Sequence, residues 1–182
     1  MNKIKILIGA LITSKTRIKL LLKFFLNPDT SSYLRGLSEE FGESTNSIRL
    51  ELNRLEDANM LHSEFEGNKK VFKVNKLHPF YSDVNQIVRK YLGIDVIVSN
   101  VLKGLGTPKF LYLTGDLARG KESNLIDLVL VGDINQTYLI GVVEKTEKII
   151  SKKIRYLIYS EEEFKNDEIE KNNLLLIWSL EL

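Results

Sequence analysis

Through the first half of the chain, apolar residues recur with the spacing of helices. Ile18, Leu21, Leu22 and Phe25 fall at i, i+3, i+4 and i+7, a stripe that predicts one helix between Lys15 and Leu26. Pro28 in "NPDTSS" closes that helix and leaves Ser31 or Ser32 as N-cap of the next, which Leu34, Leu37 and Phe41 mark and Gly42 stops. A third helix follows after a tight turn, with Ser44, Thr45 and Asn46 at its start and Ile48, Leu52 and Leu55 on its inner face. The runs "LHSEF" and "VFKVNK" then change to strand type, and the linker "EGNKK" carries the Gly67 and Asn68 that a hairpin turn requires. From about Pro79 to Leu92 a helical stripe returns in Val84, Ile87, Val88 and Tyr91.

Beyond Gly93 strand and helix patterns alternate. "FLYLTGDLARG" is an apolar strand that runs into a glycine turn, and "LIDLVLVG" is a second strand. "TYLIGVVEKTEKIISKK" reads as an amphipathic helix that buries Leu139, Val142, Val143 and Ile149. "KKIRYLIY" is a further strand, "EEEFKNDEIEKN" a solvated acidic helix with Phe164 and Ile169 turned inward, and "NLLLIW" a last strand with Trp178 in the core. The expectation is an α+β chain in three parts: a domain of three helices and a hairpin over 1–78, a linking or dimerisation helix over 79–92, and a small mixed α/β domain over 93–182.

Composition narrows the chemistry. Cysteine is absent and the histidines are His62 and His78 alone, which excludes a disulfide framework, a thiolate metal site and a histidine-rich zinc site. The short apolar run Ile6 to Ile12 lies between lysines and shows no small-x-small cleavage site, so neither a secretion signal nor a membrane partner is expected and the cytoplasm is the expected location. Net charge is +2, unevenly distributed: residues 1–92 carry 15 Lys and Arg against 10 Asp and Glu, and residues 93–182 carry 11 against 14. Lysines and arginines in the basic half can neutralise phosphates and release counterions, so double-stranded DNA is the partner that half suggests.

The third helix sharpens that expectation. With Ile48, Leu52 and Leu55 inward, Asn46, Arg49 and Asn53 face outward, flanked by Ser44, Thr45 and Leu50. Arginine can bond guanine through two donors and asparagine can do the same with adenine, although the same face is also what a merely solvated helix would show. Three helices followed by a hairpin with Lys69 and Lys70 at its tip is the order of a winged helix, whose wing touches the DNA backbone. The stretch "LITSKTRIKLLLKFFLNPDTSSYLRGLSEEFGESTNSIRLELNRLEDANML" resembles the winged helix-turn-helix of bacterial transcriptional regulators of the arsenic-repressor and multiple-antibiotic-resistance repressor groups. The resemblance implies a DNA-binding regulator and a homodimer that reads two half-sites.

The second half is similar to the minimal nucleotidyltransferase fold of the DNA polymerase beta superfamily. That family carries Gly-Ser-x-Ala-x-Gly, a loop, and Ser-Asp-x-Asp; here Gly115, Ala118 and Gly120 match the first motif and Asp127 the second. Asp116 stands where the family serine would donate to phosphate, and Arg119 lies in the same turn. Two carboxylates two apart on a strand would share a pair of magnesium ions, yet either alignment, Leu125 with Asp127 or Asp127 with Val129, leaves one carboxylate. Arg155 on the neighbouring strand is expected to pair with Asp127. The resemblance therefore implies a vestigial nucleotide site with no catalytic residue, no metal and no cofactor, in a sensor or oligomerisation domain whose ligand would be a nucleotide or another small effector. The alternatives are an active nucleotidyltransferase targeted by its winged helix, and a winged-helix scaffold that binds protein.

Overall fold

The computed structural model describes Leu7, residues 9–166 and residues 174–180. The chain is of mixed α+β class with two separate sheets and divides into two compact units, with the boundary between Val88 and Arg89 inside the helix read as a linker. Among the described residues no helix is long and apolar enough to cross a membrane.

In the N-terminal unit, helix α1 (Lys15–Leu21) is capped by Ser14, whose hydroxyl accepts from the Arg17 amide. Its ladder then widens into a π-helical turn, Leu22–Leu26. The extra residue per turn brings Leu20, Leu21, Leu22, Phe24, Phe25 and Leu26 all into the core, while Ile18, expected on the buried stripe, is only half-buried. Strand β1 (Ser31–Tyr33) comes next. Ser31 and Ser32 therefore do not cap a helix; they pair with Lys73 and Phe72, and helix α2 (Leu34–Phe41) starts from Tyr33 without a side-chain cap. Gly42 ends α2 at φ +63°, a left-handed conformation that costs glycine little.

Helix α3 (Thr45–Asp57) is capped by Ser44, whose Oγ accepts from the Ser47 amide at 3.2 Å. Ile48, Leu52 and Leu55 are buried as their spacing requires. Strands β2 (Leu61–Glu66) and β3 (Lys69–Val74) form an antiparallel hairpin, and with β1 they make a three-stranded sheet in the order β1-β3-β2. Helix α4 (Tyr81–Leu92) begins within this unit, where Tyr81 stacks on Phe25 at 5.9 Å and the Asn85 amide donates to the Phe25 carbonyl.

The C-terminal unit is built on a four-stranded mixed sheet in the order β6-β5-β4-β7. Helix α5 (Ile94–Val101) leads to β4 (Gly106–Thr114), the single-turn helix α6 (Gly115–Ala118) and β5 (Leu125–Ile134), which is antiparallel to β4. Helix α7 (Gln136–Ile150) crosses to β6 (Lys153–Tyr159), parallel to β5, and α8 (Glu161–Asn166) precedes the edge strand β7 (Leu175–Ser179). Leu111, Leu113, Ile126, Leu128 and Leu130 fill one face of the sheet, and α5 and α7 contribute Ile97, Val101 and Leu139.

The end of α7 corrects one expectation. Ile149 is exposed and Ile150 buried, because Leu139, Val143, Thr146 and Ile150 form one stripe at i, i+4, i+7 and i+11, and Ile149 lies about 100° off it. Phe164 does turn inward and stacks on Tyr112 at 5.3 Å, Trp178 is half-buried, and Ile169 lies outside the described residues.

Candidate nucleic-acid interface and the Asp127 cleft

Helix α3 presents Thr45, Asn46, Arg49, Leu50 and Asn53 to solvent, with Ser44 exposed at its cap. Arg49 Nη1 donates to Asn46 Oδ1 at 3.0 Å, so the two residues nearest the start of the helix are held together one turn apart. The pair leaves other guanidinium donors and the asparagine NH2 available, groups from which the acceptors on base edges in a major groove can accept.

The inner side of α3 holds a residue the sequence reading missed. Glu51 is buried, with Arg17 Nε at 2.7 Å and Arg54 Nη1 at 3.1 Å from its carboxylate. Burial pushes its carboxyl up, but the Arg17 bond and the two arginine charges outweigh it and hold the group below the ordinary value. The signal was present in the spacing: Glu51 lies three residues after Ile48 and four before Leu55, on the buried stripe, where an acid must find a cation.

The hairpin differs from its expected form. Its connection is Gly67 and Asn68 alone, with Glu66 paired to Lys69, so both lysines belong to β3 rather than to a loop at the tip. Gly67 takes φ +62°, which lets two residues close the turn. Lys70 reaches across to α3, where its Nζ lies 2.7 Å from Glu56 Oε2, and Ser63 donates to the same carboxylate. The Lys70 and Ser63 bonds draw the Glu56 carboxyl below its ordinary value. Lys69 is exposed, with its Nζ 4.5 Å over the Tyr33 ring.

In the C-terminal unit, Gly115 (φ +68°) and Gly120 (φ +77°) bound the turn after β4, with Asp116 and Arg119 exposed between them. Asp127 lies opposite Thr114 in the β4–β5 register and beside Arg155 in the β5–β6 register. Arg155 Nε donates to Asp127 Oδ1 at 2.6 Å, and a Cβ added to Gly115 would stand 2.5 Å from Asp127 Oδ2. Both oxygens of the carboxylate are thus covered, one by a guanidinium and one by backbone that only glycine can supply there.

These groups line an open cleft of about 390 Å³, together with Thr114, Leu128, Tyr156 and Leu157. The residues two away from Asp127 on β5 are Leu125 and Val129, so neither neighbour on its face of that strand is an acid. Among the described residues no group of three or more His, Asp or Glu side chains could hold a metal ion. The paired magnesium ions that the nucleotidyltransferase resemblance brings with it do not fit a single carboxylate already bonded to arginine.

A larger groove of about 730 Å³ lies at the end of α7, among Glu144, Glu147, Lys148, Lys152 and Lys153. Part of its charge is bonded within the groove: Glu147 accepts from Lys153 Nζ and from the Ile154 amide, and Lys152 donates to the Ser123 carbonyl.

No protein-family model matches the chain, and no curated protein is similar enough to match it. The crystal structure of AF1382 from Archaeoglobus fulgidus is similar over 50% of this chain and 97% of its own, at 16% identity and a TM-score of 0.37, a likeness too slight to carry an argument.

Proposed function

We propose that the protein is a sequence-specific DNA-binding transcriptional regulator, with a winged helix-turn-helix in its N-terminal unit and a degenerate nucleotidyltransferase-like domain in its C-terminal unit. The observation that carries the reading is the two-sided character of α3: Ile48, Leu52 and Leu55 are buried while Asn46, Arg49 and Asn53 are all exposed on a helix capped by Ser44. A helix of this kind that follows a short turn and precedes a lysine-bearing hairpin has the composition to read bases from one face and to touch phosphate beside it. In this reading Arg49, Asn46 and Asn53 address base edges and Lys69 addresses the backbone. Lys70, bonded to Glu56, fixes the hairpin against α3.

The Asp127 site favours a non-catalytic C-terminal domain, because the carboxylate that would hold a metal is bonded to Arg155. That domain would then sense a small ligand or support a homodimer of the regulator.

Fluorescence anisotropy with random and genomic duplex fragments tests the proposal. Affinity for selected genomic sites is expected to exceed that for random duplex and to fall steeply with salt. Arg49→Ala is expected to remove the sequence preference at a cost of about 1–3 kcal/mol while leaving the salt-dependent component. Absence of duplex binding at low salt would overturn the regulator.

A further inference from the structure

A second basic surface lies where the start of α2 meets the start of β3. A cleft of about 340 Å³ is lined by Tyr33, Leu34, Arg35, Asn68, Lys69 and Lys70. Arg35 and Lys69 are exposed, and neither is in an ion pair among the described residues. Of the acids around it, Glu56 is bonded to Lys70, Glu66, opposite Lys69 in the hairpin register, has its carboxylate 3.9 Å from Lys73 Nζ, and Glu39, one turn along α2 from Arg35, is exposed. Lys69 is steadied over the Tyr33 ring rather than by a carboxylate.

Two uncompensated cations in one concavity, with the Asn68 amide at its rim, are suited to an anion. A guanidinium fork beside an ammonium point charge fits the several oxygens of a phosphate group. Lys70 connects the cleft to the α3 face, since it lines the cleft while its Nζ holds Glu56, which follows Asn46, Arg49 and Asn53 along the same helix. We infer that this cleft seats a backbone phosphate of bound duplex, with Arg35 and Lys69 as positioning residues. The inference rests on the DNA-binding reading and adds to it Arg35, a residue outside both the recognition helix and the hairpin.

The test compares wild type, Arg35→Gln and the double variant Arg35→Gln with Lys69→Gln on a random 20-base-pair duplex, by anisotropy between about 50 and 200 mM salt. Each lost phosphate contact removes roughly 0.9 from the slope of log affinity against log salt. Over that range wild type is expected to lose about 3.5-fold more affinity than the single variant, and about 12-fold more than the double variant. Arg35→Lys is expected to restore the slope, which separates a lost charge from a lost fold. A slope unchanged in both variants, with Arg49→Ala still abolishing sequence preference, would overturn the cleft and leave the regulator standing. Inorganic phosphate that shifts the Arg35 amide resonance without any change in the duplex slope would assign the cleft to a free anion and also overturn the inference. Wild type that binds no duplex would remove both.

Discussion

Arg155 Nε lies 2.6 Å from Asp127 Oδ1 across two adjacent parallel strands, and the carboxylate is largely covered while the guanidinium reaches solvent. The arginine thus supplies, from the neighbouring strand, the positive charge that a carboxylate beside a glycine turn would otherwise take from an ion. Arg155→Ala is expected to let Mn2+ broaden the amide resonances of Gly115 and Asp127 in an NMR titration, while wild type shows no such broadening. Equal broadening in the two proteins would mean that the arginine does not hold a cation off.

Gly115 is the second constraint on that carboxylate. Gly115→Ala would combine a left-handed backbone with a Cβ 2.5 Å from Asp127 Oδ2. The expected loss of stability is roughly 1–3 kcal/mol, read as a lower denaturant midpoint. Gly141→Ala is the control, since a Cβ there meets nothing within 4 Å and the residue lies within α7.

Glu51 ties α3 to α1 through Arg17. Glu51→Gln keeps the shape and removes the charge, leaving Arg17 and Arg54 to turn toward water. A cost of about 1.5–3 kcal/mol is expected, the range for hydrogen bonds to charged groups, against about 2–5 kcal/mol for the packing loss in Leu52→Ala. Urea unfolding of both variants checks the order.

Acid should destabilise the N-terminal unit through three carboxylates. Burial raises Glu43 and Glu51, but Lys19 with Thr16 and Arg17 with Arg54 respectively more than offset it; Glu56 is lowered chiefly by Lys70. Each is lower folded than unfolded, so its contribution is complete above the ordinary value of 4.5 and disappears as pH falls through the folded values. Thermal midpoints are expected to decline below about pH 4.5, less steeply in Glu51→Gln than in wild type.

Alkali should act on the C-terminal unit through Tyr91. Burial, and then the charge of Glu122, which accepts from its hydroxyl, push the phenol from 10.0 up to about 12. A folded value above the unfolded one means stability that is present below pH 10 and is lost as pH rises toward 12. Ultraviolet titration should find one tyrosine ionising near the upper value, absent in Tyr91→Phe. If the titration of Tyr91→Phe matches that of wild type throughout, Tyr91 is neither buried nor bonded to Glu122 as described.

The elements legible from sequence were those whose own residues decide their conformation. Helix α3 has its stripe, its Ser44 cap and its polar face written into consecutive positions, and the hairpin has Gly67. The features that escaped depend on distant partners. Strand β1 is three residues with no alternation to announce it, and it exists because residues 71–73 offer it a ladder. Glu51 read as one more charge on a solvated helix because its cation, Arg17, lies in another helix. The Lys70–Glu56 bond was hidden for the same reason. At the end of α7 two adjacent isoleucines are equally apolar, and the stripe through Leu139, Val143 and Thr146 selects Ile150 over Ile149. At the Asp127 site the pairing with Arg155 was legible from the residue types, and the parallel register of β5 and β6 sets the two side by side.

Strand β6 is an outer strand of its sheet among the described residues, with one row of backbone donors and acceptors facing away from β5. Such a row invites a strand from another molecule, and the exposed Leu157 would add to the attraction. Lys153 and Arg155 precede Leu157 at alternate positions on the same side of the ribbon. A copy that docked against this margin would have to cover two long charged side chains and dehydrate the Lys153–Glu147 and Arg155–Asp127 pairs. The arginine that neutralises Asp127 thus also raises the cost of pairing along the outer margin of its sheet, a cost set by the fold and independent of any ligand.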